Sequence, residues 1–100
     1  MTEILAQQVR RKLNITWSDP ATDARVSDII EEAATVMLFK LGITDPSFDF
    51  SEAGVERVLF MAYCLYLYNH CENEFDENYR ELILQARSKY EVEAEDNEAE

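Results

Sequence analysis

The chain has 100 residues, 47% of them hydrophobic, which suffices for one domain with its own core and leaves no room for a second domain. Only two glycines and two prolines are present, which argues against a many-stranded β architecture. The formal net charge of -12 at pH 7 argues against nucleic acid and anionic membranes as partners, because their phosphate groups would repel the chain. The scarcity of glycine and proline, together with the helical spacing of the apolar residues described below, leads us to expect an all-α fold. This fold would be a small bundle of about four helices with a short first helix.

The first two predicted helices occupy the N-terminal half. The first has apolar residues at Ile4, Leu5, Val9 and Leu13, with Thr2 as its candidate N-cap. The second opens at Asp19-Pro20, with Thr22 or Asp23 as alternative caps, and ends at Gly42. Its apolar stripe consists of Val26, Ile29, Ile30, Ala33, Met37 and Leu41, widened by Ala34 and Leu38.

The third predicted helix follows a loop over residues 43–50. It runs from about residue 52 into the low seventies, with Ser51 as its candidate N-cap and Phe50 as a candidate for apolar contact across the first turn. Because residues 55–68 are apolar almost all round, we expect burial on most sides, by the chain's own neighbouring helices or by another subunit.

The fourth predicted helix has the most regular pattern of the four. Its apolar positions are Phe75, Tyr79, Leu82, Ile83, Ala86 and Tyr90. Neither glycine nor proline separates it from the third helix, so the sequence leaves open whether a break near Asn73 divides them. The apolar periodicity ends at Tyr90, and residues 91–100 carry half of the net charge without a basic residue. We predict a helical domain over residues 1–90 and a disordered acidic tail over residues 91–100.

The sequence offers no pattern that indicates catalysis, a cofactor or a metal. His70 is the sole histidine, and Cys64 and Cys71 lie about 10 Å apart on one helical face, too far for a disulfide. These ligands are too few for a tetrahedral zinc site, and buried structural cysteines are the interpretation we adopt. The carboxylates fall on predicted solvent faces, where they act as helix surface and caps or contact basic patches of partner subunits.

Tyr63, Tyr66 and Tyr68 cannot all face one core. Either they pack with their hydroxyl groups reaching water, or one face of their helix is a subunit interface, where tyrosine is enriched. Trp17 in its loop has the same two interpretations, a plug in the core or an exposed anchor. No signal peptide follows Met1, and the longest apolar run is shorter than a membrane span, so we expect synthesis in a cytosol and no membrane partner.

Residues 63–69, YCLYLYN, followed by residues 73–87, NEFDENYRELILQAR, resemble the small helical head-to-tail connector proteins of long-tailed bacteriophages. These are also called adaptors or head-completion proteins. The layout of residues 3–92 is similar too, with a short first helix and a long second helix opened by the sequence DIIEEAA. The resemblance covers apolar and aromatic spacings rather than a chemical signature.

The resemblance implies a structural protein without enzymatic activity, located in the virion at the head–tail junction. It implies a ring, usually twelvefold, of neighbouring copies docked beneath the portal protein. Such a ring extends the DNA channel without specific DNA binding and presents a surface to the next head-completion or tail protein. In the family the C-terminal segment tends to reach the portal, whereas here that segment is mostly glutamate.

The interface candidates that follow are Trp17, Tyr66, Tyr79, Arg87 and Tyr90. The alternative function is an acidic helical regulatory binder that sequesters a basic, DNA-binding protein by mimicking the charge of DNA. Salt dependence discriminates between the two, because binding to a basic target weakens strongly as salt is added.

Overall fold

A computed structural model describes the backbone of residues 3–99 and the side chains of residues 3–91. Its elements are α1 (Glu3–Lys12), α2 (Pro20–Leu41), α3 (Val55–Tyr68), a 3-10 helix (Glu72–Glu74), α4 (Phe75–Asn78) and α5 (Arg80–Ala99). The backbone so described contains no strand. The predicted all-α fold is confirmed.

Helix α2 begins and ends where its sequence signals predicted. The Asp19 carboxylate accepts a hydrogen bond from the Thr22 backbone N–H at 2.8 Å, which satisfies a free donor of the first turn. This bond and a second one from the Thr22 hydroxyl hold the pKa of Asp19 below its usual value. At the other end Gly42 adopts the left-handed conformation, with φ of 70°, and its N–H donates to the Leu38 and Phe39 carbonyls. Asp19 is therefore the cap.

The core is built around α3, which packs against α1, α2 and α5. Leu59, Phe60 and Cys64 of α3 have no exposed surface, and Met37 and Leu41 of α2 are equally buried. The expected burial of α3 is thus supplied by the chain's own helices. Burial of a large side chain in such a core stabilises the fold by about 1.5–3 kcal/mol.

The start of α3 was predicted wrongly. The helix begins at Val55 after Gly54, and Ser51 does not cap it. Instead, the Ser51 N–H and hydroxyl donate to the Asp49 carboxylate at 2.9 and 2.6 Å and form a turn before the helix. Phe50 is buried and stacks on Phe60 with 4.7 Å between the ring centroids, so it belongs to the core and does not bridge a first turn.

The fourth predicted helix is broken in two. Helix α4 ends at Asn78, Tyr79 leaves the helical conformation with φ of -119° and ψ of 18°, and α5 begins at Arg80. The Tyr79 ring stacks on the ring of Phe75 at 4.9 Å and meets Tyr66 edge-on at 5.8 Å. The chain bends at the residue that makes these aromatic contacts.

Helices α3 and α4 are separate. Helix α3 ends at Tyr68, earlier than predicted, and His70 has a positive φ of 59° that turns the chain towards the 3-10 helix. The Cys71 N–H donates to the Tyr66 carbonyl at 2.9 Å and closes this turn.

At the C-terminus, the backbone of α5 is helical to Ala99, which lies beyond the predicted helix end at Tyr90. The side chains after Glu91 are outside the described part of the chain. The prediction of a disordered tail falls on these residues and stays a prediction.

Candidate docking surface

Two of the predicted interface residues, Tyr66 and Tyr79, meet in an aromatic cluster inside the chain. Both rings pack on Phe75, which is fully buried, at centroid distances of 5.6 and 4.9 Å. The Asn78 side-chain amide donates to the Tyr66 hydroxyl at 2.9 Å. The two tyrosines are partly buried, and their described contacts join α3 to α4.

Tyr63 belongs to the same cluster and is buried. Its ring lies edge-on to Phe75 at 4.9 Å. Burial raises the pKa of the Tyr63 hydroxyl, and the negative charges of Glu32, Glu72 and Asp76 raise it further. Of the three tyrosines considered in the sequence, Tyr63 is therefore a core residue, while Tyr66 and Tyr68 lie at the edge of the core.

Trp17 is half exposed, with 50% of its surface accessible, so it is not a plug in the core. Its indole N–H donates to the Thr22 hydroxyl at 3.0 Å, and its carbonyl accepts from the Arg10 guanidinium at 2.8 Å. Arg10 also pairs with Asp23. These contacts fix the loop between α1 and α2 and leave one side of the indole accessible.

Tyr90 closes a small polar cluster between α5 and α3. Glu56 is 8% exposed, and its carboxylate accepts hydrogen bonds from the Tyr90 hydroxyl and, at 2.7 Å, from the Lys89 ammonium group. Burial alone would raise the pKa of Glu56, but these two hydrogen bonds outweigh it and lower the pKa. Tyr90 was predicted as an interface residue, and its described contacts instead fasten α5 to the core.

Arg87, the fifth predicted residue, lies on the exposed side of α5 and pairs with Glu91 at 3.1 Å. It lines a shallow groove between α2 and α5, which we call the α2–α5 groove. The groove is lined by Phe39, Lys40, Asp76, Arg80, Ile83, Leu84 and Arg87. The other four predicted residues do not line it.

Apolar side chains contribute three of the residues that line the α2–α5 groove. Phe39 is 84% exposed and Leu84 is 58% exposed, while Ile83 is partly buried against the core. Neither Phe39 nor Leu84 was recognised as a candidate from the sequence. The available signal was that Phe39 lies off the apolar stripe of α2, so an aromatic ring had to face away from the core.

The lining of the α2–α5 groove contains three cations and one carboxylate although the chain is acidic. Lys40 pairs with Asp76 at 2.6 Å, and Arg87 pairs with Glu91 just outside the lining. Arg80, whose neighbours on an adjoining surface include Glu77 and Glu81, has no ion pair among the described residues. Such a surface complements a partner segment that is both apolar and acidic.

The remaining large apolar residues with exposed side chains lie elsewhere. Besides Trp17, Ile4 of α1 is 63% exposed and Val58 of α3 is 54% exposed, and none of the three lines the α2–α5 groove. A second shallow groove along the outer face of α2 is acidic, with Asp28, Glu31 and Glu32 among its lining residues.

The cysteines and the histidine do not form a reactive group. Cys64 is buried, which raises the pKa of its thiol to about 12 and keeps it protonated at neutral pH. Cys71 is partly buried, so the prediction of two buried cysteines holds fully for Cys64 alone. His70 Nε2 lies 3.3 Å from the Arg25 guanidinium, which also donates to the Tyr68 carbonyl at 2.9 Å.

Within the described residues, no three histidine, cysteine, aspartate or glutamate side chains are grouped so as to hold a metal ion. The helices described here also lack the length and apolarity required to cross a bilayer. The chain matches no protein-family model, no curated protein and no solved structure in the comparisons made.

Proposed function

We propose that the chain is a structural head-to-tail connector subunit, which forms a ring beneath the portal of a tailed phage. The observation that carries the proposal is the exposure of large apolar side chains on separate surfaces of a molecule whose core is complete. Phe39 and Leu84 lie together in the α2–α5 groove, and Ile4 and Val58 lie outside it. Large adjacent apolar groups left in water mark an interaction surface.

Two unlike surfaces suit a ring. In a cyclic assembly each subunit contacts its two neighbours through different faces, so one face must be complementary to the other. The α2–α5 groove supplies one face, and the surfaces that carry Ile4 and Val58 are available to a neighbour, to the portal or to the next head-completion protein. The aromatic block that resembles phage connectors forms the α3–α4 cluster, close to the start of α5.

The net charge supports a role around a DNA channel. At -12 per chain, a ring of copies repels the phosphate backbone and lets DNA pass without binding to the wall. The ring acts as a passive conduit and a docking platform.

The test is to mix the purified chain with the portal protein encoded near its gene and to image the product by electron microscopy. We expect a second ring stacked under the portal, with Phe39→Ser reducing the fraction of portals that carry it. A bare portal, with the chain left in the supernatant at every salt concentration tried, would refute the connector function.

A regulatory binder is the second candidate, and the acidic groove of α2 favours it. Asp28, Glu31 and Glu32 line one exposed surface, as a mimic of DNA charge would require. Such a protein should capture a basic DNA-binding protein at low salt and release it as salt rises. Charge neutralisation at Glu31 and Glu32 should abolish capture while leaving any portal binding intact.

A further inference from the structure

The α2–α5 groove contains a cation that is without an ion pair in the described part of the chain. The Arg80 side chain is exposed at the rim and has no carboxylate within salt-bridge distance there, whereas Lys40 pairs with Asp76 and Arg87 pairs with Glu91. Beside it, Phe39 presents most of its ring to solvent. A complementary ligand would therefore bring carboxylates to Arg80 and a small apolar side chain to Phe39 and Leu84.

The chain itself contains a segment of that composition. Residues 92–100 read VEAEDNEAE, with acidic residues at Glu93, Glu95, Asp96, Glu98 and Glu100 and no cation. Val92 and Ala94 interrupt the acidic positions with apolar groups. Five acidic residues among nine make this C-terminal segment the most densely acidic part of the sequence.

The segment cannot reach the groove of its own chain while α5 is intact. Arg80, Leu84 and Arg87 lie at the start of α5, and the backbone continues as one helix to Ala99. A rise of about 1.5 Å per residue carries Ala99 roughly 22 Å along the helix axis from Leu84. If this segment occupies the groove, it therefore comes from a different copy.

We propose that the acidic C-terminal segment, residues 92–100, of one copy docks in the α2–α5 groove of the next copy. This inference rests on the proposed function only because a ring supplies the neighbouring copy. The contact is head-to-tail, as a ring requires, since the donor element and the acceptor groove are different surfaces of the chain. It also assigns a role to the acidic tail other than contact with the portal.

A reciprocal charge exchange in the full chain tests the pairing. Arg80→Glu should weaken self-association about tenfold in sedimentation velocity at low salt, and Glu93→Lys with Glu95→Lys should weaken it similarly. The variant that combines all three changes should return to the parent value, because opposite charges again face each other. Lys12→Glu is the control: it makes the same charge change at an exposed site at the end of α1, about a quarter turn around the helix from Ile4, and should leave association unchanged.

A mixed disulfide provides a readout for association too weak to sediment. One chain carries Leu84→Cys, a second chain of different mass carries Ala94→Cys, and both carry Cys71→Ser. Under mild oxidation we expect the mixed dimer to form, whereas Thr16→Cys in place of Leu84→Cys should not trap it. Equal trapping by both pairs, or a combined charge variant no better than the single ones, would overturn the docking proposal.

The same variants separate this inference from the proposed function. Rings that stack under the portal equally well with Arg80→Glu and with the reversed tail would overturn the tail contact and leave the connector function standing. A mixed disulfide with the expected preference, in a chain that leaves portals bare, would support the tail contact and refute the connector function.

Discussion

Glu56 is a buried carboxylate whose partners both come from α5. Because the Lys89 ammonium and the Tyr90 hydroxyl donate to the same carboxylate, a single residue connects α3 to α5. Hydrogen bonds to a charged group contribute more to stability than neutral ones, and their loss leaves donors without a partner.

We expect Glu56→Gln to lower the free energy of unfolding by about 1–2 kcal/mol, because the amide cannot accept from both donors as strongly as a carboxylate does. Urea denaturation at pH 7 measures the change. Glu52→Gln, at an exposed position shortly before α3, is the control and should be neutral. Equal stability of the two variants would show that the cluster contributes nothing to the fold.

The stabilising effect of Glu56 should depend on pH. Its pKa is lowered in the folded chain from a reference value of 4.5, so its contribution is fully present above about pH 4.5. The contribution is lost as the pH falls through the lower pKa of the folded state. The difference in unfolding free energy between the parent and Glu56→Gln should therefore shrink on acidification, and a difference that grows would contradict this assignment.

The two thiols should differ in reactivity. Cys64 is buried and its pKa is raised to about 12, whereas Cys71 is partly exposed in the turn after α3. An aromatic disulfide reagent at pH 8 should titrate one thiol in the folded chain and both in denaturant. Cys71→Ser should remove the fast reaction, and a fast reaction that persists in this variant would place Cys64 within reach of solvent.

At the scale of the element, α2 shows that capping residues next to a helix in the sequence can determine where it begins and ends. Asp19 and Gly42 act on the first and last turns next to them, so the sequence predicted the end of the helix at Gly42 and included the true cap, Asp19, among its three candidates. Ser51 has the residue type of an N-cap, yet it pairs with Asp49 two positions earlier, and no local pattern distinguishes these two uses. The break at Tyr79 depends on ring contacts with Tyr66 and Phe75, which are tertiary contacts that helical spacing cannot reveal.

The lining of the candidate docking surface was predictable only in part. Arg87 was recognised from its position after the aromatic block, and it does line the α2–α5 groove. Phe39 was missed because a sequence shows that a residue lies off an apolar stripe but not whether another helix covers it. Tyr66 was selected for its residue type, and Tyr79 and Tyr90 were selected for their position in and after the aromatic block. The described contacts of all three lie within the chain.

Gly42 should be the position in α2 where a glycine is needed. Its φ of 70° disfavours a side chain, while no atom lies within 4 Å of the position that a Cβ would occupy. Gly42→Ala should therefore lower the free energy of unfolding by about 1 kcal/mol through backbone conformation alone. Gly42→Asn should cost less, because asparagine tolerates this conformation better, and thermal denaturation of both variants compares them. A larger cost for Gly42→Asn than for Gly42→Ala would contradict this explanation and indicate a steric cause.

At the scale of the whole molecule, we expect different residues of α2 to determine stability and association. Phe39 and Met37 lie two residues apart on α2, one largely exposed and the other fully buried. Phe39→Ser should change the free energy of unfolding by less than about 0.5 kcal/mol. Met37→Ala should lower it by about 2–5 kcal/mol through the cavity that it creates.

The effects of these two variants on association should stand in the opposite order to their effects on stability. Phe39→Ser should reduce the fraction of portal rings that carry a second ring, and Met37→Ala should leave that fraction unchanged at a temperature where the variant is folded. Negative-stain images with each variant at equal concentration measure both fractions. An equal loss for the two variants would trace the defect to stability and remove the α2–α5 groove from the interface.

The Glu56 cluster also determines how a mechanical load would enter the domain. A force applied to the chain after Tyr90 would act on the hydrogen bonds that Tyr90 and Lys89 donate to Glu56. Glu56 belongs to α3, which packs against α1, α2 and α5, so these bonds connect the C-terminal helix to the core. The break between α4 and α5 at Tyr79 lies upstream of this attachment. The Glu56 carboxylate thus ties the chain near Tyr90 directly to the core, in addition to the covalent path along α5.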